Sequence, residues 1–174
     1  MRILGIDPGL NRTGYGLIEF TGNGRMKVVE AGVIRTSADS GITQRLSEIY
    51  RNVTDVIREH RPEILVLEKL YAHYKHPTTA LLMGHARGVV CLACGVEGVP
   101  LVSYASTRIK KAVTGNGRAG KHQVQDMVRS MLELEASPGP FDVSDALAMA
   151  ICYIYMECGG RPMGPGARTV KAAE

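Results

Sequence analysis

The hydrophobic pattern changes along the chain, from three β-rich runs to alternating helices and strands, and this order restricts the possible folds. The first run, RILGID at 2–7, ends in Asp-Pro-Gly, as expected of a strand that enters a turn. Two further runs, 14–20 and 26–36, are joined by Thr21-Gly22-Asn23-Gly24, whose Asn-Gly step favours a hairpin. We therefore predict an antiparallel meander of three strands at the start of the chain.

The remainder of the chain predicts helices that alternate with buried strands. Apolar residues recur at helical spacing over 42–60, and Pro62 ends this helix. The continuous apolar run ILVLE at 64–68 is typical of a buried parallel strand. We also predict a strand at 101–104 and helices near 78–96, 106–113, 121–132 and 142–157. The order βββαβαβα, with extra helix, indicates an α/β layered domain.

The length and composition predict one soluble domain. The chain has 174 residues, of which 45% are hydrophobic and 22% charged. Residues 159–174 are rich in Gly and Pro and lack periodicity, so we predict a domain over 1–158 followed by a flexible tail. No uninterrupted apolar run approaches the roughly 18–20 residues of a membrane span, and Asp7 comes too early for a signal peptide. We expect a cytoplasmic protein without a membrane partner.

The four cysteines do not form a recognisable metal motif. Cys91 and Cys94 make a CxxC, but Cys152 and Cys158 are separated by five residues and no histidine stands at ligand spacing. We therefore expect buried, reduced thiols rather than a zinc site or a redox pair.

The charges are distributed unevenly along the chain. The net charge is only +4, yet the segment from Lys69 to Leu132 holds nine Lys or Arg against two Asp or Glu, a net +7. The rest of the chain has 12 basic and 15 acidic residues, a net −3. A basic middle with acidic flanks indicates a polyanionic partner such as nucleic acid.

Four carboxylates stand where predicted strands end and where the last helix begins. Asp7 closes the first strand and Glu68 the fourth, while Asp142 and Asp145 share one helix face at i and i+3. Four clustered acids repel one another unless a cation neutralises them. Mg²⁺ prefers oxygen ligands, and two such ions roughly 3.5–4 Å apart can activate water and stabilise the leaving oxygen of a phosphodiester.

Each acid also has a purely structural interpretation. Asp7 could serve its Asp-Pro-Gly turn, and Asp142 and Asp145 could be an N-cap and a first-turn acid favoured by the helix dipole. Glu68 is less easily explained in this way, because Glu is depleted in strands. Only the four acids together indicate a metal site.

Several motifs in one order resemble a known family. They are GIDPGLNRTGYGLI at 5–18, LEKLY at 67–71, GHARGVV at 84–90, KKAVTGNGRAGKHQVQDMVRSML at 110–132 and DVSDALAMAI at 142–151. Together they resemble the RuvC-type Holliday junction resolvases, the crossover junction endodeoxyribonucleases, of the ribonuclease H-like superfamily. The resemblance covers nearly the whole chain up to Cys158. It implies an α/β fold with a mixed five-stranded sheet, three antiparallel strands followed by parallel additions, flanked by helices.

The resemblance implies a structure-selective endonuclease that acts as a homodimer on four-way DNA junctions in recombination and repair. Paired symmetrical nicks would leave 5′-phosphate and 3′-hydroxyl ends, with two Mg²⁺ ions per subunit, Mn²⁺ as a substitute and a branch-migration complex as a partner. Gly84 and Gly88, at i and i+4 on a helix, lie in the region that the family uses for dimerisation. The residues alone leave open whether these glycines face a partner or the sheet.

The resemblance also implies roles for individual residues. Asp7, Glu68, Asp142 and Asp145 match the family's acids and would be both catalytic residues and metal ligands, with Lys121 near the scissile phosphate. We expect DNA contacts from Tyr71, Lys75, Arg87, Arg108, Lys110, Lys111, Arg118 and Lys121. Taken singly, each basic residue could be a solvated surface charge, and Tyr71 could pack in a loop rather than stack on a base. The chain departs from the family's pattern at Lys69, where Gln is common, and in its basic, aromatic 72–76 loop.

A second function class stays open at this point. The GIDPGxxxxG start also resembles the first phosphate loop of actin-like ATPases and of small ribonuclease H-like proteins without nuclease activity. The alternative function is thus an accessory or nucleotide-binding protein. The chain is short for a two-lobed actin-like cleft, and all four acids are present, so we favour the nuclease.

Overall fold

The computed structural model describes residues 1–21, 24–70 and 77–159 and contains five strands and five helices in these ranges. The hairpin step at 22–23, the loop at 71–76 and the tail from 160 onward lie outside the described residues. The strands are β1 (Arg2–Asp7), β2 (Arg12–Thr21), β3 (Arg25–Arg35), β4 (Ile64–Glu68) and β5 (Leu101–Tyr104). The helices are α1 (Ile42–His60), α2 (Pro77–Glu97), α3 (Ser106–Thr114), α4 (Lys121–Met131) and α5 (Phe141–Glu157).

The five strands form one mixed sheet in the order β3-β2-β1-β4-β5. β1, β2 and β3 pair antiparallel, whereas β4 lies parallel to β1 and β5 parallel to β4. The long α1 and α2 segments precede the two parallel additions, because parallel neighbours need a crossover connection. The predicted mixed five-stranded α/β fold is therefore confirmed.

The sheet separates two hydrophobic cores. The alternation of side chains along β1 sends Leu4 and Ile6 to one face and Ile3 to the other. The first face packs against α1 and α2, and the second against α3, α4 and α5. Asp7 and Glu68 follow Ile6 and Leu67, so the same alternation places both acids on the face that carries α5.

Helix α5 is the most deeply buried helix of the described chain. Ten of its 17 residues are buried, and its apolar side chains surround the helix rather than forming a stripe. It begins at Phe141 with Pro140 as its N-cap, so Asp142 lies inside the first turn. The N-cap interpretation of Asp142 is therefore wrong.

Helix α2, in contrast, has an open apolar face. Its window Ala80–Glu97 is long and apolar enough to cross a membrane by length and composition alone, although we expected no such segment. The mean hydropathy of this segment is high because its apolar residues far outnumber its polar ones, which include His85, Arg87 and Glu97. Only 22% of it is buried, and Leu81, Leu92 and Val96 are among its exposed apolar residues.

The cysteines differ in their exposure. Cys94 and Cys152 are buried as expected, but Cys91 is exposed and Cys158 is half-buried. The expectation is wrong for Cys91 because only one face of α2 packs on the protein, and Cys91 lies outside that face. All four thiols are free.

Candidate active site

The two strand-end acids lie on neighbouring parallel strands. Ile6 pairs with Leu67, so Asp7 and Glu68 come next at the carboxyl ends of β1 and β4. Both are half-buried. The carboxyl edge of parallel strands is where α/β sheets place their functional groups, since the chain leaves the sheet there.

Helix α5 brings the other two acids to the same edge. Asp7 pairs with Gly14 across β1 and β2, and a Cβ atom built on Gly14 would lie 2.1 Å from the carbonyl oxygen of Asp142. One turn further, a Cβ atom on Gly5 would lie 1.9 Å from the carbonyl oxygen of Ala146. Only glycine permits this close approach of the helix backbone to the strands. The first turn of α5 therefore carries Asp142 and Asp145 to the edge where Asp7 lies.

The four acids form one electrostatic group. Burial raises the pKa of Asp7 to about 7, and repulsion from Asp145, Asp142 and Glu68 adds to this increase. Burial also raises the pKa of Glu68 and that of Asp145, with repulsion from Asp145 and Asp142 respectively as a further cause. In the described parts of the chain, none of the four acids forms an ion pair.

Two lysines oppose this negative charge. Lys121, the first residue of α4, lowers the pKa of Asp7 and that of Asp145 by Coulomb attraction, and its Nζ lies 5.9 Å from the ring centroid of Phe141. Lys110 on α3 acts in the same way on Glu68 and Asp145. The Ser106 hydroxyl hydrogen-bonds to Glu68 and favours its ionised form.

The donor chemistry of this group fits a hard divalent cation. Carboxylate oxygens are the ligands that Mg²⁺ prefers, and a cation would relieve the repulsion that raises the pKa of Asp7. Within 1–21, 24–70 and 77–159, no three Asp, Glu, His or Cys side chains yet converge closely enough to enclose an ion.

Comparison with known proteins identifies the family. The family model described as crossover junction endodeoxyribonuclease RuvC matches residues 3–153. This chain belongs to the RuvC family. The RuvC of Rhodopirellula baltica is 48% identical over 154 residues, which cover 88% of this chain and 86% of that protein. The predicted resemblance is confirmed, and with it the class of DNA-hydrolysing enzyme to which the relatives belong.

Solved RuvC structures agree with the fold. The structure of Thermus thermophilus RuvC in complex with a Holliday junction substrate has a TM-score of 0.85 and 32% sequence identity, covering 92% of this chain and 97% of that one. The yeast mitochondrial Holliday junction resolvase Ydc2 has a TM-score of 0.63 at 11% identity, covering 87% of this chain and 77% of that one. The latter similarity shows the fold alone.

The described basic residues that we predicted to bind DNA are divided between two places in this RuvC-family chain. Lys110 and Lys121 face the acids, whereas Arg108 and Lys111 line a separate cleft of about 590 Å³ with exposed Met156. Lys110 and Arg108 are two positions apart on α3, which places them on different helix faces. Arg118 lies near this cleft, exposed, next to the lining residue Gly117.

Arg87 is engaged within the protein. Its Nη1 donates a hydrogen bond of 2.6 Å to the carbonyl oxygen of Glu68, and its Nη2 donates one of 2.9 Å to Ser103 Oγ. These contacts give Arg87 a structural role, and its DNA contact stays a prediction. Tyr71 and Lys75, also predicted to bind DNA, lie outside the described residues.

Sequence reasoning missed residues that shape the site without carrying its charge. Gly5 and Gly14 admit α5, and Ser106 supports Glu68, while Arg87 was named only for a DNA contact and not for its bond to the Glu68 backbone. Glycines inside predicted strands were an available signal, because they mark places where another backbone approaches closely. The partners of Arg87 follow only from the packing of α2 on the sheet, and no local pattern indicates them.

Proposed function

We propose that this protein cuts four-way DNA junctions by paired, symmetrical, metal-dependent hydrolysis of phosphodiesters. The observation that carries the proposal is the group of four mutually repelling carboxylates, delivered by β1, β4 and α5 to one sheet edge. Membership of the RuvC family supports it. The products would carry 5′-phosphate and 3′-hydroxyl ends and would be ligatable, as recombination and repair in the cytoplasm require.

We assign the metal site to Asp7, Glu68, Asp142 and Asp145, with two Mg²⁺ ions per subunit and Mn²⁺ as a substitute. Bound ions of this kind supply a water nucleophile at neutral pH and neutralise charge on the phosphate. Asp7 is coupled electrostatically to each of the other three acids, so it would be the central ligand of this group. Its raised pKa leaves it partly protonated near pH 7, so metal binding would also release a proton.

Lys121 is proposed as the group that offsets charge on the scissile phosphate. It stands at the start of α4, on the acid side of the sheet, where its ammonium can reach a phosphate held beside Asp7 and Asp145. Lys110 would contact a neighbouring phosphate. DNA contact stays a prediction for Arg108, Lys111, Arg118, Tyr71 and Lys75. Arg108 and Lys111 would contact phosphates farther from the four acids, because they line the separate cleft.

A second copy of the chain is the proposed occupant of the open face of α2. Leu81, Leu92 and Val96 are 66%, 58% and 58% exposed and recur at helical spacing. A Cβ atom on Gly84 or Gly88 would meet no described atom within 4 Å, which rules out the sheet as the reason for these glycines. The amino-terminal half of α2 adjoins the turn after Asp7, so a two-fold axis through α2 would bring two sites to one junction.

The direct test uses a synthetic four-way junction that carries a 5′ label on each strand in turn. In Mg²⁺ we expect nicks at symmetrical positions in two strands of like polarity, sealed by DNA ligase without further processing. A linear duplex of the same sequence should stay intact. Glu68→Gln should bind the junction but not cut it, while Glu135→Gln, a matched change at an exposed loop acid, should cut at the parent rate.

Three results would contradict the proposal. They are cleavage of the linear duplex at the junction's rate, full activity in EDTA, and full activity of Glu68→Gln. Junction binding without cleavage by the parent protein in Mg²⁺ and in Mn²⁺ would instead favour the accessory class. Co-sedimentation with a purified branch-migration complex tests that further proposed partner.

A further inference from the structure

Two arginines reach the active-site edge from the opposite side of the sheet. Arg45 is on α1 and Arg87 on α2, the two helices that pack against the face away from the acids. Arg45 is only 9% exposed, and Arg87 is half-buried. In the described ranges, neither forms an ion pair with Asp or Glu. A buried guanidinium without a carboxylate is expensive, so the hydrogen bonds of Arg45 in particular call for an explanation.

Arg45 holds the turn that follows Asp7. Its Nη2 donates a hydrogen bond to Asn11 Oδ1, and its Nε donates one of 3.0 Å to Thr36 Oγ1. The Thr36 hydroxyl in turn donates to the carbonyl oxygen of Leu10 at 2.5 Å, and the Thr36 amide donates to the carbonyl oxygen of Asn11 at 3.3 Å. One side chain of α1 thus ties the turn after β1 to the residue after β3.

Arg87 holds the end of β4 in a similar way. One guanidinium nitrogen donates to the carbonyl oxygen of Glu68 and another to Ser103 Oγ on β5. The two contacts fall at the last residue of β4 and at the residue before the last of β5, close to the end of the parallel ladder. Arg87 therefore joins the backbone of Glu68 to the neighbouring strand, and its charge also lowers the pKa of the Glu68 carboxyl by Coulomb attraction.

We propose that Arg45 and Arg87 are positioning residues that hold the turn after β1 and the end of β4, and so set the spacing of Asp7 and Glu68. The expected loss of cleavage rate rests on the proposed function. Each arginine uses two nitrogens of one planar group to bridge two acceptors, which lysine cannot reproduce. A displacement of about 1 Å at such a site can lower a catalytic rate by about 100-fold.

The experiment compares Arg45→Met and Arg87→Met with the parent protein. Single-turnover cleavage should slow by about 10- to 100-fold, while the dissociation constant for the junction in Ca²⁺ changes less than about 2-fold. Arg45→Lys and Arg87→Lys should not restore the rate. Arg51→Met, at an exposed position of α1, is the matched control and should behave as the parent.

A loss of general stability must be separated from a loss of positioning. Val53→Ala removes buried apolar atoms of α1 and no hydrogen bond to the turn after β1 or to the end of β4, so it should lower the Tm yet cleave at the parent rate. Thr36→Val should slow cleavage in the same direction as Arg45→Met, and the double variant should be no slower than Arg45→Met alone. Equal slowing by Val53→Ala at a matched Tm would overturn the proposal.

Hydrogen exchange gives a readout independent of activity. In Arg45→Met, the amides of Gly9 and Thr36 should exchange faster in the metal-free protein, whereas amides in the middle of α5 should keep their protection. Unchanged exchange together with parent-like cleavage would refute the positioning role of Arg45 while leaving the proposed function intact. An inactive parent protein would refute the proposed function, and the exchange data would still decide whether Arg45 holds the turn after β1.

Discussion

Asp7→Asn should stabilise the metal-free protein at pH 8 and at the same time abolish cleavage. The pKa of Asp7 is raised from 3.8 to about 7 by burial and by the neighbouring acids. At about 1.4 kcal/mol per pKa unit, keeping this carboxylate ionised inside the fold costs about 4 kcal/mol at pH 8. Asparagine has nearly the same shape and no charge, so the substitution removes most of this penalty.

The sign follows from the proton balance of Asp7. Its folded-state pKa lies above its unfolded-state value, so the native state binds more protons between about pH 4 and pH 7, and the free energy of unfolding falls as the pH rises through this range. The penalty is smaller at pH 5 than at pH 8. The stability gained by Asp7→Asn should therefore be about 2–3 kcal/mol larger at pH 8 than at pH 5.

The assay is urea denaturation of both proteins in EDTA at the two pH values. Asp126→Asn, at an exposed position of α4, is the matched control and should show no such pH-dependent gain. Mg²⁺ should stabilise the parent protein more than Asp7→Asn, because a ligand that binds the native state raises its stability. A gain of the same size at pH 5 and pH 8 would refute the electrostatic argument, and cleavage by Asp7→Asn would refute the metal assignment.

Three further predictions follow from the packing and the charges. Gly14→Ala should push Asp142 away, since the added Cβ would lie 2.1 Å from its carbonyl oxygen. We expect cleavage about 100-fold slower and, in urea denaturation, a loss of about 1–3 kcal/mol in the free energy of unfolding. Lys110→Ala should slow cleavage in a single-turnover assay, whereas Lys111→Ala should mainly flatten the salt dependence of junction binding. Identical effects of the two substitutions would contradict the different positions of these lysines on α3. Leu92→Lys should convert the proposed dimer into a monomer in sedimentation at micromolar concentration, and an unchanged mass would remove α2 from the interface.

Most secondary structure could be predicted from the sequence, because strong local patterns specify it. Asp-Pro-Gly ends β1, Pro62 follows the end of α1, and ILVLE is β4, each as the pattern predicted. β5 also has the predicted bounds, whereas the bounds of the remaining strands and helices differ by one or two residues, because the ends of the ladder and of the helices extend beyond the hydrophobic pattern or stop short of it. The strand order was accessible only through the family resemblance, since pairing partners are set by long-range contacts.

The candidate acids could be named from the sequence, but their mutual environment could not. Asp7 and Glu68 ended apolar runs, and Asp142 and Asp145 were separated by one helical turn. No local pattern indicated that the four carboxylates would lie close enough to repel one another and raise the pKa of Asp7. That depends on the parallel pairing of β1 with β4 and on the contact of α5 with Gly14.

The basic middle of the chain shows the same division. The sequence by itself determined that the segment is cationic and follows the strand acid Glu68, because charge and order are properties of the chain. The tertiary structure decided that Lys110 faces the acids, that Lys111 lines another cleft, and that Arg87 supports the backbone of Glu68. Helical geometry sends neighbouring residues in different directions, and only the packing of each helix against the sheet decides which direction meets the site.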